Sequence, residues 1–208
     1  MPADYKIIQL KSSPKCRPAV DALAELHQIC LPESMISRLG KLGAALAYRY
    51  FCSSAYEQVF VAVDGNDRIV GGTVVSKSPT TLPRRLAFSP MLTLFVFFVA
   101  LWMLINRGKR PEYSKEILSN VSFEEADQEI ISLMVASSDR RNGVANKLVE
   151  ACFDQNEYQQ RISICVYAPA ENNGVLTFYR KMGFLEKGPV KSRGQLLNYM
   201  ICYESSST

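Results

Sequence analysis

Residues 129–153 read EIISLMVASSDRRNGVANKLVEACF, and their pattern decides the fold. An apolar run, Glu129 to Val135, stops at a polar turn that holds Arg140, Arg141 and Gly143, followed by a small Ala145. An amphipathic helix over about 142–154 follows at once, with Val144, Leu148, Val149 and Cys152 on one face. A strand that passes straight into a helix through a Gly-containing turn is the first half of a parallel crossover. The stretch RISICVYAPA (161–170) supplies the returning strand.

Working outward, YKIIQLK (5–11) alternates and reads as a first strand. RPAVDALAELHQICLP (17–32) has helical periodicity and a stop at Pro32, and residues 33–54 read as a second helical stretch broken near Gly40 or Gly43. EQVFVAVDGNDRIVGGTVVSKS (57–78) is a hairpin turning at DGND. Beyond the crossover, NNGVLTFYRKMGF (172–184) is a short helix ending at Gly183, LLNYMICYE (196–204) is a last strand, and the polar stretch after 110 opens with a helical piece. The order is strand, two helices, hairpin, insertion, strand, helix, strand, helix, strand. That is a mixed α/β sheet.

A chain of 208 residues with 48% hydrophobic content suits one globular domain, taken here as 1–208 with an insertion at about 78–127. A net charge of +4 is too small to imply nucleic acid. The six cysteines include no C-x-x-C pair, and the N-terminus has no long apolar run, so reduced core thiols in a cytoplasmic protein are expected. No metal site is expected, because His27 is the only histidine.

The turn suits a phosphate. Helix N-termini carry unpaired N–H groups and the positive end of the dipole, Gly143 lets ligand oxygens approach the backbone, and Arg140 and Arg141 add charge. A plain strand–turn–helix connection with surface arginines is the alternative.

The wider spacing carries a resemblance. Arg140-x-x-Gly143-x-Ala145, directly after LMV, resembles the acetyl-CoA pyrophosphate loop (Q/R-x-x-G-x-G/A) of the GNAT N-acetyltransferases. Asn172, Tyr179, Lys181, Gly183 and Phe184 match a second element of that family, with Val175 in place of its usual Ala. The resemblance spans roughly 55–77 and 128–203. It implies the GNAT fold: a central, mostly antiparallel, twisted sheet with helices on both faces and a splayed pair formed by the fourth and fifth strands.

It also implies acetyl-CoA as co-substrate. The backbone N–H groups around Arg141, Asn142, Gly143, Val144 and Ala145 would take the pyrophosphate, with Arg140 beside them. Met134 and Val135 would pair with the pantetheine arm, which Asn172 would also bind. Tyr179 would protonate the leaving thiolate; a tyrosine pKa near ~10 is close to that of a thiol. Glu129, eleven residues before Arg140, stands where histone-acetylating members carry their general base. A solvated charge beginning a strand is the other reading of Glu129, and His27 is the alternative base.

The region 78–127 is not covered by the resemblance. Met91 to Ile105 is fifteen residues with one polar member, Thr93, short of the ~20 that a spanning helix needs. The strands on either side belong to one sheet, so a single crossing is excluded. Arg84, Arg85, Arg107, Lys109 and Arg110 flank the run. Two expectations follow: peripheral contact at the inner face of a membrane, or a homodimer or domain interface through 91–105. The stretch from Leu26 to Phe51 loosely resembles GNAT members associated with bacterial surface-polysaccharide amino-sugar acetylation. The expected acceptor is therefore a small primary amine, with a nucleotide- or lipid-linked amino sugar as the particular case. A protein or peptide amine and a non-catalytic acyl-CoA-binding module are the alternatives.

Overall fold

The computed structural model describes residues 5–89, 126–154, 162–192 and 195–203. The described residues of Met1–Val96 and Ile131–Gln155 form one compact unit, and those of Phe97–Ile130 and Asn156–Thr208 a second. Strand β4 (Gln128–Val135) contributes to both.

In the first unit the strand order is β1 (Lys6–Leu10), β2 (Glu57–Val63), β3 (Ile69–Ser76), β4. β1, β2 and β3 pair antiparallel. The β3–β4 contacts run the same way, since Thr73 meets Ser132 while Val70 meets Ala136. The helices are α1 (Arg17–Cys30), α2 (Met35–Arg38), α3 (Gly40–Ser53), α4 (Leu82–Ala87) and α5 (Val144–Phe153). The expected break in the second helical stretch falls at Leu39 and Gly40.

β2 and β3 are buried almost throughout because helices cover both faces. Two adjacent glycines make room for this. A Cβ at Gly71 would lie 3.0 Å from Val144 Cγ1 and 3.1 Å from Leu148 Cδ1 of α5; one at Gly72, on the opposite face, would lie 2.4 Å from Leu23 Cδ1 of α1. Val20, Leu23, Ala44, Tyr48, Phe51, Val61 and Met134 form the core beneath α1 and α3. Where β3 ends, Arg85 of α4 pairs with the buried Glu57, which also accepts from Ser76 Oγ at 2.8 Å. This ties the start of the insertion to the sheet. Residues 90–125, including the 91–105 run and the helical piece expected after 110, lie outside the described residues.

In the second unit the first residues of β4 pair in parallel with β5 (Ser163–Pro169), and β5 is followed across the sheet by β7 (Gln195–Tyr203) and β6 (Leu185–Ser192). The β4–β5 pairing comprises Gln128 with Ile164 and Glu129 with Cys165, and stops there although β5 runs on to Pro169. Helix α6 (Asn173–Lys181) packs on β5. β6 corrects the sequence reading, which passed over LEKGPVKS. Gly188-Pro189 sits beside a bulge in this strand, which among the described residues pairs with β7 alone. The mixed α/β class holds, with seven strands among the described residues. The six cysteines are free thiols.

Candidate active site

The loop expected to bind phosphate lies in the first unit. After β4 the chain makes a 3-10 turn at Ser137–Asp139, and Arg140 is extended. Arg141 and Gly143 then take left-handed conformations, with φ of 65° and 80°. A non-glycine residue at positive φ is strained, and such strain clusters at ligand sites. Gly143 is the N-cap of α5 and supplies no side-chain cap. The first described backbone bond of the helix runs from Lys147 N–H to Gly143 O, 3.1 Å, so the N–H groups of Val144, Ala145 and Asn146 are left for water or a ligand. A Cβ built at Gly143 meets nothing within 4 Å, so the space over this helix start is open.

The loop is braced by residues that sequence reasoning missed. Buried Asp139 accepts from the Tyr5 hydroxyl at 3.2 Å, takes a bond from Ser138 Oγ, and lies 3.6 Å from Arg68. Asn142 Nδ2 donates to Tyr5 O–H at 3.4 Å. Arg140 Nε folds back onto Val135 O at 3.1 Å, so part of this arginine is engaged in holding the strand end. Val135 O also takes Cys30 Sγ at 3.5 Å. The Met134 carbonyl faces β3, 3.0 Å from where a Cβ at Gly71 would be.

His27 is a core residue. It is 1% exposed, with Nδ1 2.7 Å from the Tyr48 hydroxyl and Nε2 2.7 Å from Ser34 Oγ. Burial holds its pKa down at about 4. Both nitrogens are occupied, which removes it as a base for an incoming amine.

The second unit holds Glu129, Asn172 and Tyr179. Glu129 is half-buried on β4, and desolvation pushes its carboxyl up to about 7, where a general base for neutral-pH chemistry should lie. A clamp fixes the strand just before it. Asp127 Oδ2 accepts from Ser163 N–H and Oγ, each at 2.8 Å, and Asp127 N–H donates to Ser163 Oγ at 3.0 Å. Asn172 caps α6, its Oδ1 accepting from Val175 N–H at 3.1 Å. Tyr179 is 4% exposed and packs edge-on against Phe178 and Phe184, with ring centroids 5.0 and 5.1 Å away.

The first unit carries a strand–loop–helix turn whose geometry suits a phosphate, and the second a parallel strand pair that stops short. Residues 111–199 match the family model of the acetyltransferase (GNAT) domain, a span that includes the loop and the Asn172 to Phe184 element. No curated protein matches the chain significantly. Among solved structures, the histone acetyltransferase HPA2 and related acetyltransferase from Corynebacterium glutamicum is similar at 14% identity and TM-score 0.59, covering 100% of each chain. The NatC complex bound to Gag peptide and CoA is similar at 17% identity and TM-score 0.55, over 96% of this chain and 99% of that one. Arabidopsis thaliana NAA60 in complex with acetyl-CoA is similar at 14% identity and TM-score 0.54, over 97% and 98%. Identities this low speak to the fold alone. The match over residues 111–199 and the shared fold are what this chain has in common with the GNAT acetyltransferases.

Proposed function

We propose that the protein is an acetyl-CoA-dependent N-acetyltransferase acting on a primary amine by direct attack. The observation that carries this reading is the α5 N-terminus, where free N–H groups, the left-handed Arg141 and Gly143 and an open space over Gly143 suit a pyrophosphate. Acetyl-CoA supplies the activated acetyl group. Val144 and Ala145 bind its phosphates through the backbone, with Arg140 and Arg141 alongside.

Glu129 takes a proton from the acceptor's ammonium, directly or through water. The freed amine nitrogen bonds to the thioester carbonyl carbon, the C–S bond breaks, and Tyr179 donates a proton to the departing thiolate; the second proton that the nitrogen sheds on becoming an amide restores the Tyr179 hydroxyl through water. The sum is an ammonium and a thioester going to an amide, a thiol and one proton. The pKa of Glu129, raised to about 7, supports its role as base.

For the acceptor, the loose likeness of residues 26–51 favours an amino sugar. The near-complete overlap with NatC bound to a peptide favours a peptide amine as the second reading. Release of CoA thiol in the presence of an amine panel tests the activity, with product masses identifying the acceptor. Acetyl-CoA binding without thiol release for any amine would instead make this an acyl-CoA-binding module. No helix among the described residues is long and apolar enough to cross a membrane. The apolar run at 91–105 is proposed to direct the enzyme to an anionic membrane surface.

A further inference from the structure

One face of the second unit's sheet gathers, around the proposed base Glu129, aromatic groups that the transfer reaction has not absorbed. Glu129 pairs across the parallel ladder with Cys165, so their side chains share a face. Tyr167, two residues further along β5, shares it too, and Tyr199 of β7 lies directly opposite Tyr167. The two rings are in contact, with centroids 5.2 Å apart and planes at 47°. Tyr199 is 1% exposed and lies in the core with Cys165, Val190 and Ile201; Tyr167, packed against it, is only partly buried. The pairing of β4 with β5 has ended before Tyr167, so no β4 residue covers it through the ladder.

Glu129 is the second notable member. It is a half-buried carboxyl, and among the described residues no group hydrogen-bonds or ion-pairs with it. The Tyr167 hydroxyl likewise has no hydrogen-bond partner among them. A desolvated carboxylate without a cation beside an aromatic ring backed by a second ring is what a ligand ammonium requires: one negative charge and one π-face.

We propose that Glu129 and Tyr167, with Tyr199 fixing the Tyr167 ring, form the acceptor-ammonium subsite, and that it selects amines with no carboxylate on the amine-bearing carbon. Glu129 is at once the cation's counter-ion and the group that removes its proton. Tyr167 contacts the ammonium through ring and hydroxyl, and Tyr199 is a positioning residue. A carboxylate next to the amine would be forced against Glu129, and like charges at such distances disfavour binding strongly. Amino sugars, alkylamines and peptide N-termini meet this rule; free α-amino acids do not. The proposal rests on the transferase reading above.

Two measurements test it. The first compares acetyl transfer to ethanolamine with that to serine, and to glucosamine with that to glucosaminic acid. The first pair differs by one carboxylate on the amine-bearing carbon; in the second, oxidation of C1 puts the carboxylate there and opens the ring. For whichever amine is used, the carboxylated partner should show kcat/KM lower by at least ~10-fold; equal rates within the pair would overturn the subsite. No transfer to any amine would overturn the transferase reading itself, and the subsite with it.

The second uses tetramethylammonium, which cannot be acetylated, as an inhibitor competitive with the amine. Tyr167→Leu, which keeps bulk but loses the π-face, should weaken inhibition by about 2- to 30-fold, the range of a cation–π contact. Tyr167→Phe should retain most of it. Acetyl-CoA affinity should be unchanged in both, which controls for folding. Unchanged inhibition in Tyr167→Leu, with acetyl-CoA binding intact, would remove Tyr167 from the subsite.

Discussion

The Tyr5 hydroxyl donates to Asp139 Oδ1 at 3.2 Å, a contact between residues 134 apart in the chain. It ties the residue just before β1 to the start of the proposed phosphate loop, and Asn142 reaches the same hydroxyl from the loop's far side. The left-handed Arg141 and Gly143 thus lie in a loop held near both its beginning and its end. Tyr5→Phe removes the hydroxyl alone. It should lower stability by about 0.5–1.5 kcal/mol, the net worth of a typical hydrogen bond. It should also speed amide exchange at Lys147, whose N–H bonds to Gly143 O at 3.1 Å. Denaturant unfolding and exchange by mass spectrometry check both; unaltered exchange at Lys147 would show that the brace does not hold the loop.

Tyr179 is proposed as the general acid. Tyr179→Phe preserves the ring that packs between Phe178 and Phe184, so the fold should survive. Loss of a general acid typically lowers the rate ~100- to 10,000-fold. Turnover should fall within that range while acetyl-CoA affinity stays the same. Full single-turnover activity would assign the proton to water or another group.

Glu129 sets a pH dependence. Its carboxyl is raised by desolvation from 4.5 to about 7, and the titratable groups nearest to it on its own face are Cys165 and Tyr167, both neutral in this range. As a base it acts when deprotonated, so kcat/KM should rise with pH through about 7 and then level. The stability effect has the opposite sign. Between 4.5 and about 7 the folded state holds a proton that the unfolded chain has lost, so stability falls as pH rises through that window. Glu129→Gln should lose the pH limb of activity and become less sensitive to pH in its unfolding midpoint. A wild-type profile flat from pH 5.5 to 8.5 under chemistry-limited conditions would exclude this carboxyl as the base.

Much of this arrangement was legible in the sequence, for local reasons. The loop and its helix were readable because a strand, a Gly turn and a 3.6-residue apolar stripe are short-range patterns. The hairpin at 57–76 was readable for the same reason. Strand β6 was not, because an edge strand held by one neighbour needs no alternation and tolerates Gly188-Pro189. Tyr5, Asp139 and the Tyr167–Tyr199 pair were invisible because each depends on residues brought together from distant parts of the chain. His27 looked available as a base until Tyr48 and Ser34 were found on its two nitrogens.

The 91–105 run predicts membrane behaviour from sequence alone. Replacing Phe95, Phe98 and Trp102 by polar residues should release the protein from anionic liposomes while acetyl-CoA binding persists. Binding that withstands high salt in the wild type would mark apolar insertion; loss with salt alone would assign it to the flanking basic residues. A wild type that ignores liposomes, with a mutant that turns from dimer to monomer in light scattering, would make the run a subunit interface.

The most direct test is calorimetric titration of acetyl-CoA into the wild type and Gly143→Asp. The substitution places a side chain and a negative charge in the open space over the α5 N-terminus, at a φ of 80° that disfavours any Cβ. If phosphates sit there, the dissociation constant should rise on the order of 10- to 100-fold, equivalent to losing one charge-assisted bond at about 1.5–3 kcal/mol. Far-ultraviolet circular dichroism should be unchanged. Equal affinity in a folded Gly143→Asp variant would contradict the account.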